Sequence, residues 1–167
     1  MLKLEYIPNG IGEILEYYGS PGKVERGRFV VDRNWIADNL AWFGFAFPLR
    51  QSWDLKEIRG FYIHKKIGPV MIDAIEEIHE IYGLSYMRRH GLDYWGDCHN
   101  PRLKRTNPEP STHAWAIAID YVPALGALED PPTTPWFVVE AFTKRGFSWG
   151  GLWDHSDGMH FQACEGY

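Results

Sequence analysis

The sequence predicts an α+β fold, in which helices flank a small, mostly antiparallel sheet within a single domain. The chain has 167 residues, which is a usual size for one domain. Two stretches place apolar residues at helical spacing between clear start and stop signals. Several short apolar runs, separated by loops rich in Pro, Asn and Gly, are typical of strands. Strands interrupted by two helices on a chain this short favour the α+β class.

The strongest helix prediction covers residues 69–82. Their apolar side chains form one continuous helical stripe. Pro69 suits the first helical position, and Gly83 suits the position just after the last turn. A shorter helix is predicted over 12–18, where Gly19 follows the last apolar residue of the pattern.

The second clear helix is predicted over 135–145. Thr134 precedes it as the expected N-terminal cap, and Gly146 follows its last turn. The rest of the chain is predicted as strands and loops. Strands are expected at 58–64, 84–88, 115–121 and 159–163, loops at 90–111 and 122–133, and short strands and loops that wrap the core at 29–53.

Charge and hydropathy exclude several classes of protein. Seventeen Lys and Arg against 22 Asp and Glu give a net charge of −5, so we expect no nucleic-acid partner, because phosphate binding needs a basic surface. No run of about 18 apolar residues occurs, so we expect no membrane insertion. The N-terminus lacks a signal-peptide hydrophobic region, and the chain is predicted to be cytoplasmic as synthesised. Cys98 and Cys164 are expected to be ordinary thiols, although one disulfide between them stays open.

Asp120 ends an apolar run that is predicted as part of a strand. A carboxylate at such a place costs free energy unless it is paired or coordinated. Alternation along the strand places Ala116 and Ala118 on the same face as Asp120. These small side chains leave space above the carboxylate for a ligand or for another side chain. The other interpretation is a strand-end aspartate that caps a neighbouring loop.

His113 precedes Asp120 by seven residues. On a regular strand this odd spacing directs the two side chains to opposite faces, so shared coordination requires His113 to lie in the preceding loop or in a bulge. Downstream, His160 begins the last predicted strand. Asp157 precedes it across Gly158, in a turn that can bring both side chains near one metal ion.

These residues together predict a zinc site. A catalytic zinc needs about three protein ligands and one open position for water. His113, Asp120 and His160 supply two nitrogens and one oxygen, and they are the predicted ligands of Zn²⁺. Asp157 is then the free carboxylate that takes a proton from the attacking water. Three neighbouring groups compete as ligands, namely Asp154, His155 and His99.

The chain reads Ser111-x-His113-x-x-Ala116-x-Ala118-x-Asp120 and, further on, Asp157-x-x-His160. This pattern resembles Ser-x-His-x-x-Gly-x-Ala-x-Asp followed by Asp/Glu-x-x-His, the signature of the zinc D-alanyl-D-alanine carboxypeptidases of the VanY type. That group includes the L-alanyl-D-glutamate endopeptidases found as bacteriophage endolysins. The Phe-x-Trp-Gly-Gly-x-Trp string at 147–153 is also similar to the segment before the last histidine of the group, and the resemblance covers roughly residues 60–163.

Two positions depart from the pattern of that group. Ala116 stands where the group usually has Gly, and its methyl group either crowds a close backbone approach or is tolerated there. Asp157 stands where the D-Ala-D-Ala enzymes have Glu. Because Asp occurs at this place in the endopeptidase branch, the resemblance favours endopeptidase action.

The resemblance also implies an arginine upstream of Ser111 that steadies the scissile carbonyl or a substrate carboxylate. Arg102 is the first candidate and Arg88 the second, although each is equally well explained as part of a solvated basic patch. Ser111 is expected to assist this arginine. Trp149 and Trp153 are expected to line the cleft, and core packing explains the two rings equally well.

We expect a single zinc peptidase domain, 1–167, in which an aromatic-rich N-terminal extension, 1–60, packs on a catalytic core, 61–167. Its substrate would be the peptidoglycan stem peptide. L-alanyl-D-glutamate endopeptidase action is the first expectation and D-alanyl-D-alanine carboxypeptidase action the second. From a different class, a non-catalytic wall-binding or phage structural module of the same fold is the alternative. We expect a monomer, and the missing secretion signal fits a phage-encoded endolysin that acts on the wall after release.

Overall fold

The computed structural model describes residues 1–105 and 107–167, and it confirms the α+β class. The helices are α1 (Gly10–Tyr18), α2 (Arg33–Asn39), α3 (Gly68–His90) and α4 (Trp136–Thr143). The strands are β1 (Gly22–Glu25), β2 (Arg28–Val31), β3 (Leu40–Gln51), β4 (Glu57–His64), β5 (Tyr94–Asp97), β6 (Ala118–Tyr121), β7 (Ser148–Trp149) and β8 (His160–Gln162). Short 3₁₀ turns occur at Thr112–Trp115, Pro123–Leu125 and Gly150–Leu152.

A six-stranded sheet in the order β4-β3-β5-β6-β8-β7 forms the centre of the molecule. Its β3–β5 pair is parallel and its other four pairs are antiparallel, so the prediction of a mostly antiparallel sheet is confirmed. β1 and β2 form a separate antiparallel hairpin. In the β6–β8 pair, Asp120 lies directly opposite His160, and Ala118 lies opposite Gln162.

Helices α3 and α4 cover one face of this sheet and contact each other. Phe142 of α4 stacks on Phe161 of β8, with ring centroids 4.4 Å apart, and both side chains are fully buried. Because neighbouring side chains on a strand point to opposite faces, burial of Phe161 in this core directs His160 and Gln162 to the other face. The packing of α4 therefore sets which face of β8 carries the histidine.

The strand predicted at 84–88 is wrong, because this segment continues α3 to His90. Gly83 does interrupt the helix as its position predicts, with a left-handed φ of 70°, but the chain then resumes helical geometry. Met87 is buried and anchors this second part. Arg88 and Arg89 in its last turn interact favourably with the negative end of the helix dipole. Tertiary packing and end charge thus outweigh the local signal.

The prediction of short strands and loops over 29–53 is also wrong in part, because this region holds α2 and the twelve-residue strand β3. Asp32 caps α2 by accepting from the backbone N–H groups of Asn34 and Trp35, at 2.9 and 3.2 Å. The pairing of β3 with β4 shifts register between Gly44 and Leu49, and this irregularity interrupts the alternation that marks a strand.

Other boundaries differ by smaller amounts. The helices at 12–18 and 135–145 are confirmed, although α4 is shorter than predicted. Thr134 does not cap α4, because the N-cap position is Pro135, one residue later. The Thr134 hydroxyl donates to the Gly158 carbonyl oxygen, at 2.8 Å. The predicted loop 90–111 contains the short strand β5, which pairs with β6.

Two expectations from composition are also answered for the described part of the chain. In the described part of the chain, every helix is too short or too polar to span a bilayer. Cys98 and Cys164 are both buried, and their thiols are free.

We expect His64 to make the stability of this fold depend on pH. Its side chain is 1% exposed and packs edge-on against the Tyr18 ring. Burial lowers the pKa of His64 from 6.5 to about 4. Between these values the unfolded chain binds a proton more readily than the folded chain does, so the stabilising contribution is complete above the unfolded pKa and is lost as the pH falls toward the folded pKa.

We expect His64→Asn to weaken this pH dependence. His64 Nδ1 accepts from the Lys66 backbone N–H, at 3.2 Å, and asparagine keeps an acceptor there but does not titrate. Urea unfolding of metal-free protein at about pH 7 and about pH 4.5 measures the effect. From the higher to the lower pH, the free energy of unfolding should fall by about 2–3 kcal/mol more in the parent than in the variant. Equal losses in both proteins would contradict the assignment to His64.

Candidate active site

A single 3₁₀ turn, Thr112–Trp115, places His113 ahead of β6. The Ser111 hydroxyl accepts from the His113 backbone N–H and caps the start of this turn. Ala116 then adopts a left-handed φ of 53°, and the strand begins only at Ala118. The predicted strand 115–121 is therefore too long at its N-terminal end. The turn lets His113 approach Asp120 in spite of the odd spacing between them.

Three buried side chains converge beside the β6–β8 pair. The Asp120 Oδ1 atom lies 3.0 Å from His160 Nδ1 and 3.2 Å from His113 Nε2. The two ring nitrogens lie 3.3 Å apart. Ligand atoms on a tetrahedral zinc ion with bonds of about 2 Å are separated by about 3.3 Å. The three spacings therefore match those around one zinc ion.

Hydrogen bonds on the far side of each ring decide which nitrogen is free. His113 Nδ1 lies 3.0 Å from the Cys98 carbonyl oxygen, to which it donates. His160 Nε2 lies 3.1 Å from Gln162 Oε1. The Gln162 amide nitrogen donates to the carbonyl oxygens of Cys164 and Tyr167, so Oε1 is the acceptor and His160 Nε2 is the donor.

The neutral rings consequently present His113 Nε2 and His160 Nδ1 as acceptors toward the Asp120 carboxylate. Three electron pairs then meet with no donor between them, which is an arrangement that requires a cation. Without a metal ion, a proton held between these atoms makes the imidazoles donors to Asp120 instead. Burial alone would raise the pKa of Asp120, but these hydrogen bonds outweigh burial and hold that pKa well below its ordinary value. The same contact outweighs burial at His113 and raises the pKa of its ring. A bound metal ion would replace the proton that these groups otherwise share.

We expect Gln162→Leu to lower zinc affinity about 10–100-fold, the usual cost of losing a hydrogen bond that orients a metal ligand. Without the amide oxygen, the polar group left near His160 Nε2 is the Thr112 hydroxyl, at 3.4 Å. Because a hydroxyl can donate as well as accept, it does not fix the tautomer of the ring. Gln51→Leu, the same substitution in β3, is the control and should bind zinc as the parent does. Competition with a zinc-binding dye measures both affinities. An unchanged affinity in Gln162→Leu would show that the amide does not orient His160.

Asp157 lies in the turn before β8 and lines the same pocket as Asp120 and His160. Its backbone N–H donates to the Gly150 carbonyl oxygen, at 2.9 Å, and its carbonyl accepts from the His160 N–H, at 3.1 Å. Its side-chain Oδ1 atom is buried and has no hydrogen-bond partner in the described chain. Burial raises the pKa of Asp157. An unpaired carboxylate with a raised pKa is suited to accept and release a proton.

The pocket has a volume of about 350 Å³ and combines this acidic and imidazole end with a basic wall. Arg102, Lys104 and Arg105 contribute to that wall. Lys104 pairs with Glu109, at 3.0 Å, and lies over the Tyr167 ring. Within residues 1–105 and 107–167, neither Arg102 nor Arg105 forms an ion pair. The two guanidinium groups are therefore available to an anionic ligand.

The structure brings most of the remaining predicted site residues to this pocket. Ser111, Arg102 and Trp153 line it, and the Trp153 ring centroid lies 5.3 Å from that of His160. Arg88 does not line it, because it is exposed at the end of α3 and pairs with Glu57. Trp149 does not line it either, and its indole N–H donates to the Gly158 carbonyl oxygen.

The competing ligands lie outside the group of converging atoms. The His155 ring is 71% exposed and lies 3.8 Å from a Glu129 carboxylate oxygen, and Asp154 is also exposed at the pocket rim. His99 is half-buried and is not one of the three clustered residues. Sequence reasoning missed Lys104 and Arg105 as wall residues, although the local run of basic residues is a signal for them. It also missed Tyr167, for which the sequence holds no signal.

Residues 104–163 match the model of a family described as D-alanyl-D-alanine carboxypeptidase. The match covers 60 of the 167 residues. No curated protein and no solved structure gave a match. The family match agrees with the resemblance to the zinc D-alanyl-D-alanine peptidases, and the three clustered residues could hold a metal ion. The matched segment contains the three clustered residues and the free carboxylate, namely His113, Asp120, His160 and Asp157.

Proposed function

We propose that this protein is a zinc-dependent peptidase of bacterial peptidoglycan that cleaves the L-alanyl-D-glutamate bond of the stem peptide. The observation that carries the proposal is the convergence of two imidazole nitrogens and one carboxylate oxygen at zinc-ligand spacing, beside an unpaired Asp157. His113, Asp120 and His160 would hold the ion. When bound, zinc polarises a carbonyl and lowers the pKa of a water toward about 7.

The chain's own residues divide the remaining work. Asp157 accepts a proton from the attacking water and passes it to the leaving amine, since its raised pKa suits both transfers. The unpaired Arg102 guanidinium binds the substrate carboxylate or steadies the oxygen of the scissile carbonyl. Trp153 lies beside His160 and forms an apolar side of the substrate cleft.

Two features favour endopeptidase action. Asp157, rather than glutamate, stands at the base position, as in the endopeptidase branch that the sequence resembles. The basic wall also suits a stem peptide that carries a carboxylate next to the scissile bond. D-alanyl-D-alanine carboxypeptidase action is the second candidate, because the matching family bears that description and an arginine equally suits a terminal carboxylate.

Digestion of purified peptidoglycan and muropeptides by the zinc-loaded protein, followed by mass spectrometry, tests this proposal. Endopeptidase action should release stem peptides that begin with glutamate and leave alanine on the glycan. Loss of one terminal alanine would instead establish carboxypeptidase action. Absence of cleavage together with absence of zinc binding would overturn the proposal and favour a non-catalytic wall-binding or phage structural module.

A further inference from the structure

The Gly158 carbonyl oxygen, one residue after Asp157, accepts two side-chain hydrogen bonds. Thr134 Oγ1 and Trp149 Nε1 both donate to it, each at 2.8 Å. Thr134 comes from the segment before α4, and Trp149 comes from β7. Because a carbonyl oxygen has two lone pairs, this acceptor is fully used, and its peptide plane is held from two separate elements. We call this group of three residues the Gly158 clamp.

The backbone around the clamp is closely packed. A Cβ atom added at Gly158 would lie 2.7 Å from Pro132 Cβ, and one added at Gly126 would lie 2.7 Å from the Gly158 carbonyl carbon. A Cβ atom at Gly150 would lie 2.5 Å from the Asp157 carbonyl oxygen. The turn therefore depends on close backbone approach from both sides, which only glycine allows.

Asp157 contrasts with this packing in one respect. Its main-chain N–H and C=O are both bonded, as described above, whereas its Oδ1 atom is buried without a partner. The surroundings thus fix where the residue sits and leave its carboxylate oxygen free to react.

Thr134 bonds to this turn and not to the start of α4. It is the sequence-predicted cap of α4, but the N-cap position is Pro135. Thr134 is buried, with 8% of the residue exposed, and its hydroxyl bonds to a residue 24 positions away. This buried hydrogen bond ties the segment before α4 to the turn that carries Asp157.

We infer that Thr134 and Trp149 are positioning residues, which hold the Gly158 peptide so that the Asp157 carboxylate stays in its catalytic place. The catalytic part of this inference rests on the proposed function. The role requires no contact between either side chain and the substrate, and it replaces the expectation that Trp149 lines the cleft.

Amide hydrogen exchange in the metal-free protein tests the restraint itself. Thr134→Val keeps the shape of the side chain and removes the donor. The amides of Asp157, Met159 and His160 should then exchange about 10-fold faster, the effect of losing one net hydrogen bond. Thr133→Val is the matched control, because Thr133 also donates to a backbone carbonyl, that of Leu125, in the same loop. Equal exchange in the two variants would overturn the clamp.

Kinetics with the zinc-loaded protein test the catalytic consequence. Thr134→Val and Trp149→Phe should each lower kcat about 10-fold, with KM and zinc content unchanged. Thr134→Ser should restore turnover, because it keeps the hydroxyl. A kcat that stays at the parent value, or a loss that Thr133→Val shares, would overturn the positioning role. Should the parent protein cleave no muropeptide, the proposed function fails, while hydrogen exchange still decides whether the clamp restrains the turn.

Discussion

Asp157→Asn should lower kcat about 10²–10⁴-fold and leave zinc bound, because asparagine cannot accept the proton of the attacking water. The side chain lines the pocket but is not one of the three clustered groups, so its removal spares the ion. Burial already raises the pKa of Asp157, which marks this carboxylate as the one whose protonation state matters. Turnover of muropeptides and zinc content by atomic emission measure the two effects on the same preparation.

Asp154→Asn is the matched control for this substitution. Asp154 lies three residues earlier, is exposed and stands at the rim of the same pocket. It should keep both zinc and turnover. Parent-like turnover in Asp157→Asn would refute the base assignment, and loss of zinc in that variant would show that Asp157 is a ligand instead.

The alanine variants of the three clustered residues should lose zinc as well as turnover. Each of His113→Ala, Asp120→Ala and His160→Ala removes one of three converging ligand atoms. The affinity loss should exceed the roughly 10–100-fold that follows from removing an orienting hydrogen bond. Zinc retained after dialysis against a weak chelator measures this loss directly.

His155→Ala is the control that separates the ligand assignments. His155 lies five residues before His160 in the same segment, but its ring is 71% exposed and outside the cluster. The variant should therefore bind zinc like the parent. If His155→Ala loses the ion and His160→Ala keeps it, the ligand set is wrong.

Much of the cluster could be predicted from the sequence, because the types of residue and their spacing already indicate a shared metal site. A carboxylate at the end of an apolar run, as at Asp120, needs a partner wherever it folds. The odd spacing between His113 and Asp120 also predicts that His113 lies outside the regular strand, and the structure places it in the turn at Thr112–Trp115. Pairing of β6 with β8 then brings His160 opposite Asp120, which local patterns cannot reveal.

The errors arise where distant contacts outweigh local signals. Gly83 predicts the end of a helix, but α3 continues beyond it because Met87 is buried in the core. Thr134 is predicted as a helix cap, but its hydroxyl bonds to Gly158. Trp149 lies in a motif next to the cleft, and its indole N–H is directed to the same carbonyl. The burial of Met87 depends on the tertiary fold, and Gly158 lies 24 residues from Thr134 and nine from Trp149. Local propensity and spacing hold no information about these contacts.

The alternation along β8 has a consequence for substitutions remote from the cleft. A slip of one residue in the pairing with β6 would turn His160 into the apolar interior and expose Phe161. The stack between Phe161 and Phe142 therefore stabilises the observed register of β8 against β6. If His160 binds zinc as proposed, a substitution that weakens this aromatic contact on the opposite side of the sheet should therefore lower zinc affinity.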